Sequence, residues 1–148
     1  MKNIQKPFKV FLDTSVLLSG LNSPLGASGF IISLFKLNNI NLFISEEVII
    51  EAERGISNKF PELKMTFFDF LSHRPILIKK LKIKEIKLAY KIISSEDTPI
   101  LAGAIKAKVN FLITLDKNFK KLAKGKVKFK ILLPGEFLQK YREQNKFL

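Results

Sequence analysis

Phe8-Lys9-Val10-Phe11-Leu12-Asp13-Thr14-Ser15-Val16-Leu17-Leu18 is a short apolar run that halts on an acid. A run of this length, bounded by polar residues, predicts a strand buried on both faces of a parallel sheet. Asp13 then stands at the carboxyl end of that strand, the edge at which open α/β sheets bind their ligands. The hydroxyls of Thr14 and Ser15 follow at once, within reach of the carboxylate or of the turn backbone.

The chain on either side repeats this grammar. Residues 22–26 are turn-rich, and residues 27–36 form a helical pattern with Phe30, Ile31, Leu34 and Phe35 on one face. Asn38 and Asn39 break it, and residues 41–44 make a second short strand. Ser45 reads as a helix N-cap, with Glu46 and Glu47 in the first turn, where the dipole favours acids. Val48, Ile49, Ala52 and Ile56 form the buried stripe of that helix, and Pro61 opens another. A third strand falls at residues 75–78, followed by a lysine-rich amphipathic helix to about residue 93. Ser94-Ser95-Glu96-Asp97-Thr98-Pro99 is a helix start with proline at or near the first helical position. Residues 111–115 form a strand that runs into Asp116. Residues 117–124 then make a short helix, 127–132 a last strand, and Pro134 begins a terminal helix. Strands alternating with helices predict a three-layer α/β/α sandwich around a mainly parallel sheet, as one domain over residues 1–148.

Composition bounds the function. The chain has 148 residues, 47% of them hydrophobic, enough to bury a core. No apolar run reaches the roughly 18 residues that a membrane helix needs, and the first strand is cut by Asp13, unlike a signal peptide. Without cysteine, disulfides and thiolate metal sites are excluded. A cytoplasmic protein with no membrane partner is the expectation. The formal charge is +13, with 26 basic residues against 13 acids, and lysine supplies all but Arg54, Arg74 and Arg142. That imbalance points to a polyanion, nucleic acid before acidic protein, although lysine enrichment also accompanies thermophily. With so few arginines and no tryptophan, attraction to a nucleic-acid backbone is favoured over base readout. The lysines read as spread along the chain.

The acids are fewer and better placed. Of four aspartates, Asp13 and Asp116 end or follow strands, Asp97 sits at a helix start, and Asp69 lies mid-helix as a solvated residue. In a parallel α/β sheet the first three share one edge. Hard oxygen ligands so gathered suit Mg²⁺ or Mn²⁺. Each has a structural alternative: Asp97 as a helix cap worth about 1 kcal/mol, Asp13 and Asp116 as turn formers. Glu51 shares its helix with Glu46, Glu47 and Glu53, and the pattern alone does not separate it from a solvated face. His73, the one histidine, has no metal-ligand spacing and reads as a surface or packing residue, which disfavours triad chemistry. No Gly-rich phosphate loop is present.

Four stretches together resemble the ordered motifs of PIN-domain nucleases: Val10–Ser19 around Asp13, Ile44–Glu51, Asp97–Ala104 and Phe111–Phe119. The nearest branch is the toxin components of prokaryotic toxin–antitoxin pairs, and the likeness runs from about residue 8 to 135. It implies a metal-dependent endoribonuclease with catalytic acids Asp13, Glu51, Asp97 and Asp116. The metal, Mg²⁺ or Mn²⁺, would be held by Asp13, Asp97 and Asp116. It is the family that singles out Glu51 from its neighbours. Ser15 and Thr114 match small polar residues that hold the family's acids in place. Ser15 stands where asparagine is common, and Asn118 where many members carry a further aspartate, which weakens a second metal site. RNA, a cognate antitoxin and a second copy of the chain are the partners that the resemblance allows. Two rivals come from other classes. A phosphoryl-transfer or receiver domain would want a second acid beside Asp13, and Thr14-Ser15 supplies none. A catalytically inactive PIN-like module would bind RNA or protein on the same fold.

Overall fold

A computed structural model describes residues 6–145. Its centre is a five-stranded sheet of β1 (Lys9–Leu12), β2 (Asn41–Ser45), β3 (Ile76–Ile78), β4 (Phe111–Ile113) and β5 (Lys130–Leu132). The spatial order is β3-β2-β1-β4-β5, and all four pairings are parallel. Among the described residues eight α-helices surround it: α1 (Thr14–Asn22), α2 (Ala27–Lys36), α3 (Glu46–Lys59), α4 (Lys64–Ser72, preceded by a 3-10 turn at Pro61–Leu63), α5 (Ile83–Ile92), α6 (Thr98–Ala107), α7 (Lys117–Ala123) and α8 (Pro134–Asn145). α1 packs on α2 and α3, α2 packs on α8, and α5 pairs with α6 against β2 and β3, which gives the α/β/α sandwich expected from the sequence.

The central strand explains the order of the rest. Val10, Phe11 and Leu12 are wholly buried, as are Leu112 and Ile113 beside them. Such strands are stable only with helices on both faces. From β1 the chain moves outward to β2 and β3, then crosses back to β4 on the other flank. β1 and β4 therefore flank the switch point, outside which α/β sheets form their crevice. Gly103 lets α6 lie close on this strand: a Cβ there would come within 3.2 Å of the Phe11 ring.

Two element readings change. α1 was not expected as a helix, because its apolar run continues that of β1 without a Gly or Pro between them. The backbone nevertheless turns at Asp13, which caps α1 by accepting the Thr14 amide. Val16, Leu17, Gly20 and Leu21 then face inward at helical spacing. β4 and β5 are shorter than predicted, since Thr114, Leu115 and residues 127–129 belong to connections. Asp69 is solvent-facing as expected and pairs with Lys36 at 2.7 Å. His73 is exposed, with its Nδ1 2.9 Å from the Asp69 carbonyl and its ring near Phe35.

Two glycines should respond oppositely to alanine. At Gly29 a Cβ would lie 2.3 Å from the Pro24 carbonyl oxygen, a backbone atom that cannot swing aside. Gly29→Ala should cost about 1–3 kcal/mol, as overpacking does. At Gly135, in the first turn of α8, nothing lies within 4 Å, so Gly135→Ala should stabilise by up to about 1 kcal/mol. Thermal melts check both; a lower melting point for Gly135→Ala would contradict the assignment of open space.

Candidate functional site

The carboxyl ends of β1 and β4 and the starts of α1, α6 and α7 meet on one edge. The ladder between the strands runs into the site, with the Asp13 amide donating to the Ile113 carbonyl at 3.0 Å. Asp13 is buried, 6% exposed, and both its oxygens accept hydrogen bonds. Oδ1 takes the Thr14 amide at 2.8 Å and Oδ2 takes the Thr114 hydroxyl at 2.7 Å. The wholly buried Thr114 in turn accepts the Asp116 amide at 3.0 Å. One hydroxyl thus orients two acids. Asp116 is exposed and caps α7, its Oδ1 accepting from the amides of Asn118 at 2.9 Å and Phe119 at 3.2 Å.

The other two acids arrive from separate elements. Glu51 projects from α3, and its Oε2 accepts the Thr14 hydroxyl at 2.8 Å. Among Glu46, Glu47, Glu51 and Glu53 it is Glu51 that this contact ties to Asp13's neighbour. Asp97 precedes α6 and is half-buried, but it does not cap the helix with its side chain. The turn is held instead by Thr98, whose buried hydroxyl donates to the carbonyls of Ile93 at 2.6 Å and Ser95 at 2.8 Å. Ser95 adds a bond from the Asp97 amide at 3.1 Å. The carboxylate of Asp97 is released from structural duty. Thr98 went unnoticed in the sequence because a threonine beside an aspartate and a proline reads as one more polar residue of a helix start.

The supporting residues divide. Thr114 holds Asp13 directly. Ser15 acts at one remove: its hydroxyl accepts the Leu115 amide at 3.4 Å, bracing the loop between Thr114 and Asp116. Asn118 is exposed and contributes its backbone amide to Asp116.

Electrostatics couple the set. Burial holds the Asp13 carboxyl above its ordinary range; the bonds from Thr114 and Thr14 oppose this, while the charges of Glu51 and Asp116 add to it. Asp97 is pushed up to about 6, first by burial and then by the charges of Asp13, Asp116, Glu51 and Glu96. The ion pairs among the described residues join Lys36 to Asp69, Lys106 to Glu85 and Lys120 to Glu136. None includes Asp13, Glu51, Asp97 or Asp116. Carboxylate oxygens without basic partners are the donor chemistry that suits a hard divalent cation. In their present rotamers, however, no group of three or more acid, histidine or cysteine side chains among the described residues is gathered closely enough to hold one.

Comparison with known proteins bears on this edge. The PIN domain family matches residues 9–118, a span that contains all four acids. A search of curated proteins finds no match. Among solved structures, a chain of VapBC2 from Rickettsia felis, bound to a DNA fragment from their promoter, is similar with a TM-score of 0.60. The identity is 20%, over 84% of this chain and 96% of that one, so the likeness concerns the fold.

Asp97 sets a pH signature. Its folded-state value of about 6 lies above the ordinary 3.8, so the folded chain holds this proton more tightly than the unfolded chain. Its contribution is therefore most favourable below 3.8 and is lost as pH rises through about 6. In EDTA at pH 7.5, Asp97→Asn should stabilise the fold by roughly 1 kcal/mol, the shift being discounted because the group is only half-buried. Denaturant melts from pH 3.5 to 7.5 should show the wild type losing stability relative to the variant across that window. Parallel pH profiles, with the variant the less stable, would mean that Asp97 is an ordinary surface acid.

Proposed function

This chain belongs to the PIN-domain family, and on that premise we propose that its carboxylate edge is the site of a Mg²⁺- or Mn²⁺-dependent endoribonuclease, the toxin of a toxin–antitoxin pair. The observation that carries the reading is the set of four acids from four separate elements, tied through Thr14 and Thr114 and converging on Asp97, that form no ion pair among the described residues, in a chain of net charge +13. Asp13, Asp97 and Asp116 would hold the cation, with Glu51 beside them. Bound there, the metal supplies an activated water and neutralises charge on the scissile phosphate. The chain's own part is positioning. Thr114 fixes the Asp13 carboxylate and the Asp116 amide, Thr14 restrains Glu51, and Thr98 frees Asp97 from capping. The lysine-rich surface draws the RNA backbone toward a pocket that only a cation makes hospitable to phosphate. The fold's similarity to VapBC2 supports the toxin assignment.

A second reading has an observation of its own. The acids are not assembled as a metal cluster, and Asp116, Glu51 and Asp13 each spend oxygens on hydrogen bonds within the protein. A PIN-like module that binds RNA or protein without cleaving needs no side-chain movement, and the resting geometry sits closer to it. For the nuclease, Asp13, Asp97 and Asp116 would hold the ion, whose charge would offset the like charges of these carboxylates.

Two measurements separate the readings. With Mn²⁺ the wild type should cleave single-stranded RNA and gain melting temperature, both abolished by EDTA and by Asp97→Asn. Thr114→Val, which removes the hydroxyl that orients Asp13, should lower metal affinity and cleavage about 10–100-fold, the usual effect of losing a residue that orients a ligand. A wild type that neither cleaves nor shifts with Mn²⁺ or Mg²⁺, yet still binds RNA or protein, leaves the binding module.

A further inference from the structure

The lysines are not evenly spread in space. Residues 117–130 contain seven lysines and no acid. On α7, Lys117, Lys120 and Lys121 recur at i, i+3 and i+4 on one side of the helix, and Lys124 follows as its C-terminal cap. Gly125 then turns the chain, with a φ of 75° that favours glycine, and leads it into β5. The turn encloses a cleft of about 380 Å³ between α7 and β5. Lys120 lines it from the helix, Lys124 from the helix's C-terminal cap, and Lys128 and Lys130 from the returning chain, with Val127 and Phe129 half-buried among them. Lys120 is spoken for, since Glu136 takes it with both oxygens at 2.8 Å. Lys121, Lys124, Lys128 and Lys130 have no ion pair among the described residues. Lys140 lies beside Lys130, and a side-chain hydrogen bond with it, followed by the charge of its ammonium group, holds the Lys130 amine below the usual lysine range. Positive charge is in local excess here.

The position of the cleft gives that charge a use. α7 starts on Asp116 at the carboxylate edge and runs about 10 Å away from it. We propose that the α7–β5 cleft is a track for the backbone of single-stranded RNA, continuing from the carboxylate edge across the flank of the sheet. This rests on the RNA reading above, though not on cleavage. Lysines in a row follow a phosphate backbone without reading sequence, and the exposed parts of Val127 and Phe129 offer an apolar surface to an unstacked base. A strand of nucleotides leaving the site meets α7 first. An acidic peptide on the same track would be led toward four carboxylates.

The test is binding of a short labelled single-stranded RNA to the full chain in EDTA, followed by anisotropy at rising KCl. One variant is K121Q/K124Q/K128Q, which spares Lys120 and its bond to Glu136. The control, K84Q/K87Q/K91Q on α5, removes the same charge from another exposed face. The α7 variant should bind at least tenfold more weakly and lower the log–log salt slope by about 2, near 0.7 per lost contact; the α5 variant should stay within about twofold of the wild type. Equal weakening by both variants overturns the track in favour of diffuse attraction. Unchanged RNA affinity with loss of polyglutamate binding makes the cleft an acidic-protein surface instead. A wild type with no salt-dependent RNA binding overturns both this inference and the RNA reading, whereas binding without Mn²⁺-dependent cleavage removes the nuclease reading alone.

Discussion

A single hydroxyl bond, from Thr114 to Asp13, joins positions 101 residues apart at 2.7 Å. A carboxylate with 6% exposure is costly to bury unless its oxygens are satisfied. Asp13 meets that requirement with one partner from its own turn and one from across the sheet. The Thr114 oxygen already accepts the Asp116 amide, so its proton is directed at Asp13. β1 and β4 must stand in their observed register for this to occur, and the Asp13–Ile113 ladder bond keeps them there. The central pair of strands, the crevice at their ends and the placement of two acids are thus one constraint seen at three scales.

Around that constraint the distribution of charge is uneven in an instructive way. Asp69, Glu85 and Glu136 have each found a lysine. Among the described residues the four acids at the edge have not, although bases outnumber acids two to one in the chain. Like charges brought to one edge repel, and the charges of Asp13, Asp116 and Glu51 all act against ionisation of Asp97. A fold selected for stability alone would place a lysine among them.

How much of this the sequence discloses depends on the range of the interaction. β1 and its terminal acid are legible because burial on both faces writes a continuous apolar run. The alternation of strand and helix then gives the parallel sheet. The start of α1 is hidden, since Asp13 serves as strand terminus, helix cap and buried acid at once, and an apolar run on either side masks the change of period. Asp97 reads as a cap because aspartate before Thr-Pro usually is one; that Thr98 takes over is a matter of where the Ile93 and Ser95 carbonyls point. Glu51 is indistinguishable from Glu47 or Glu53 until α3 is laid against α1. The gathering of lysines at the α7–β5 flank likewise depends on the turn at Gly125, which folds two ordinary basic stretches onto each other.

The all-parallel sheet has a consequence in time. No strand pairs with the next through a hairpin, and the β1–β4 pairing closes a loop of about a hundred residues. Such topologies fold slowly, because the entropy of closure must be met before contacts are gained. At synthesis rates of about 5–20 residues per second, roughly 5–20 s separate the making of Asp13 from that of Thr114. Throughout that interval the nascent chain has its first acid but lacks both the hydroxyl that orients it and the acid that faces it. The edge is complete only once Asp116 has been made, so a chain released early or cut short before β4 lacks both the site and the lysine-rich stretch of residues 117–130.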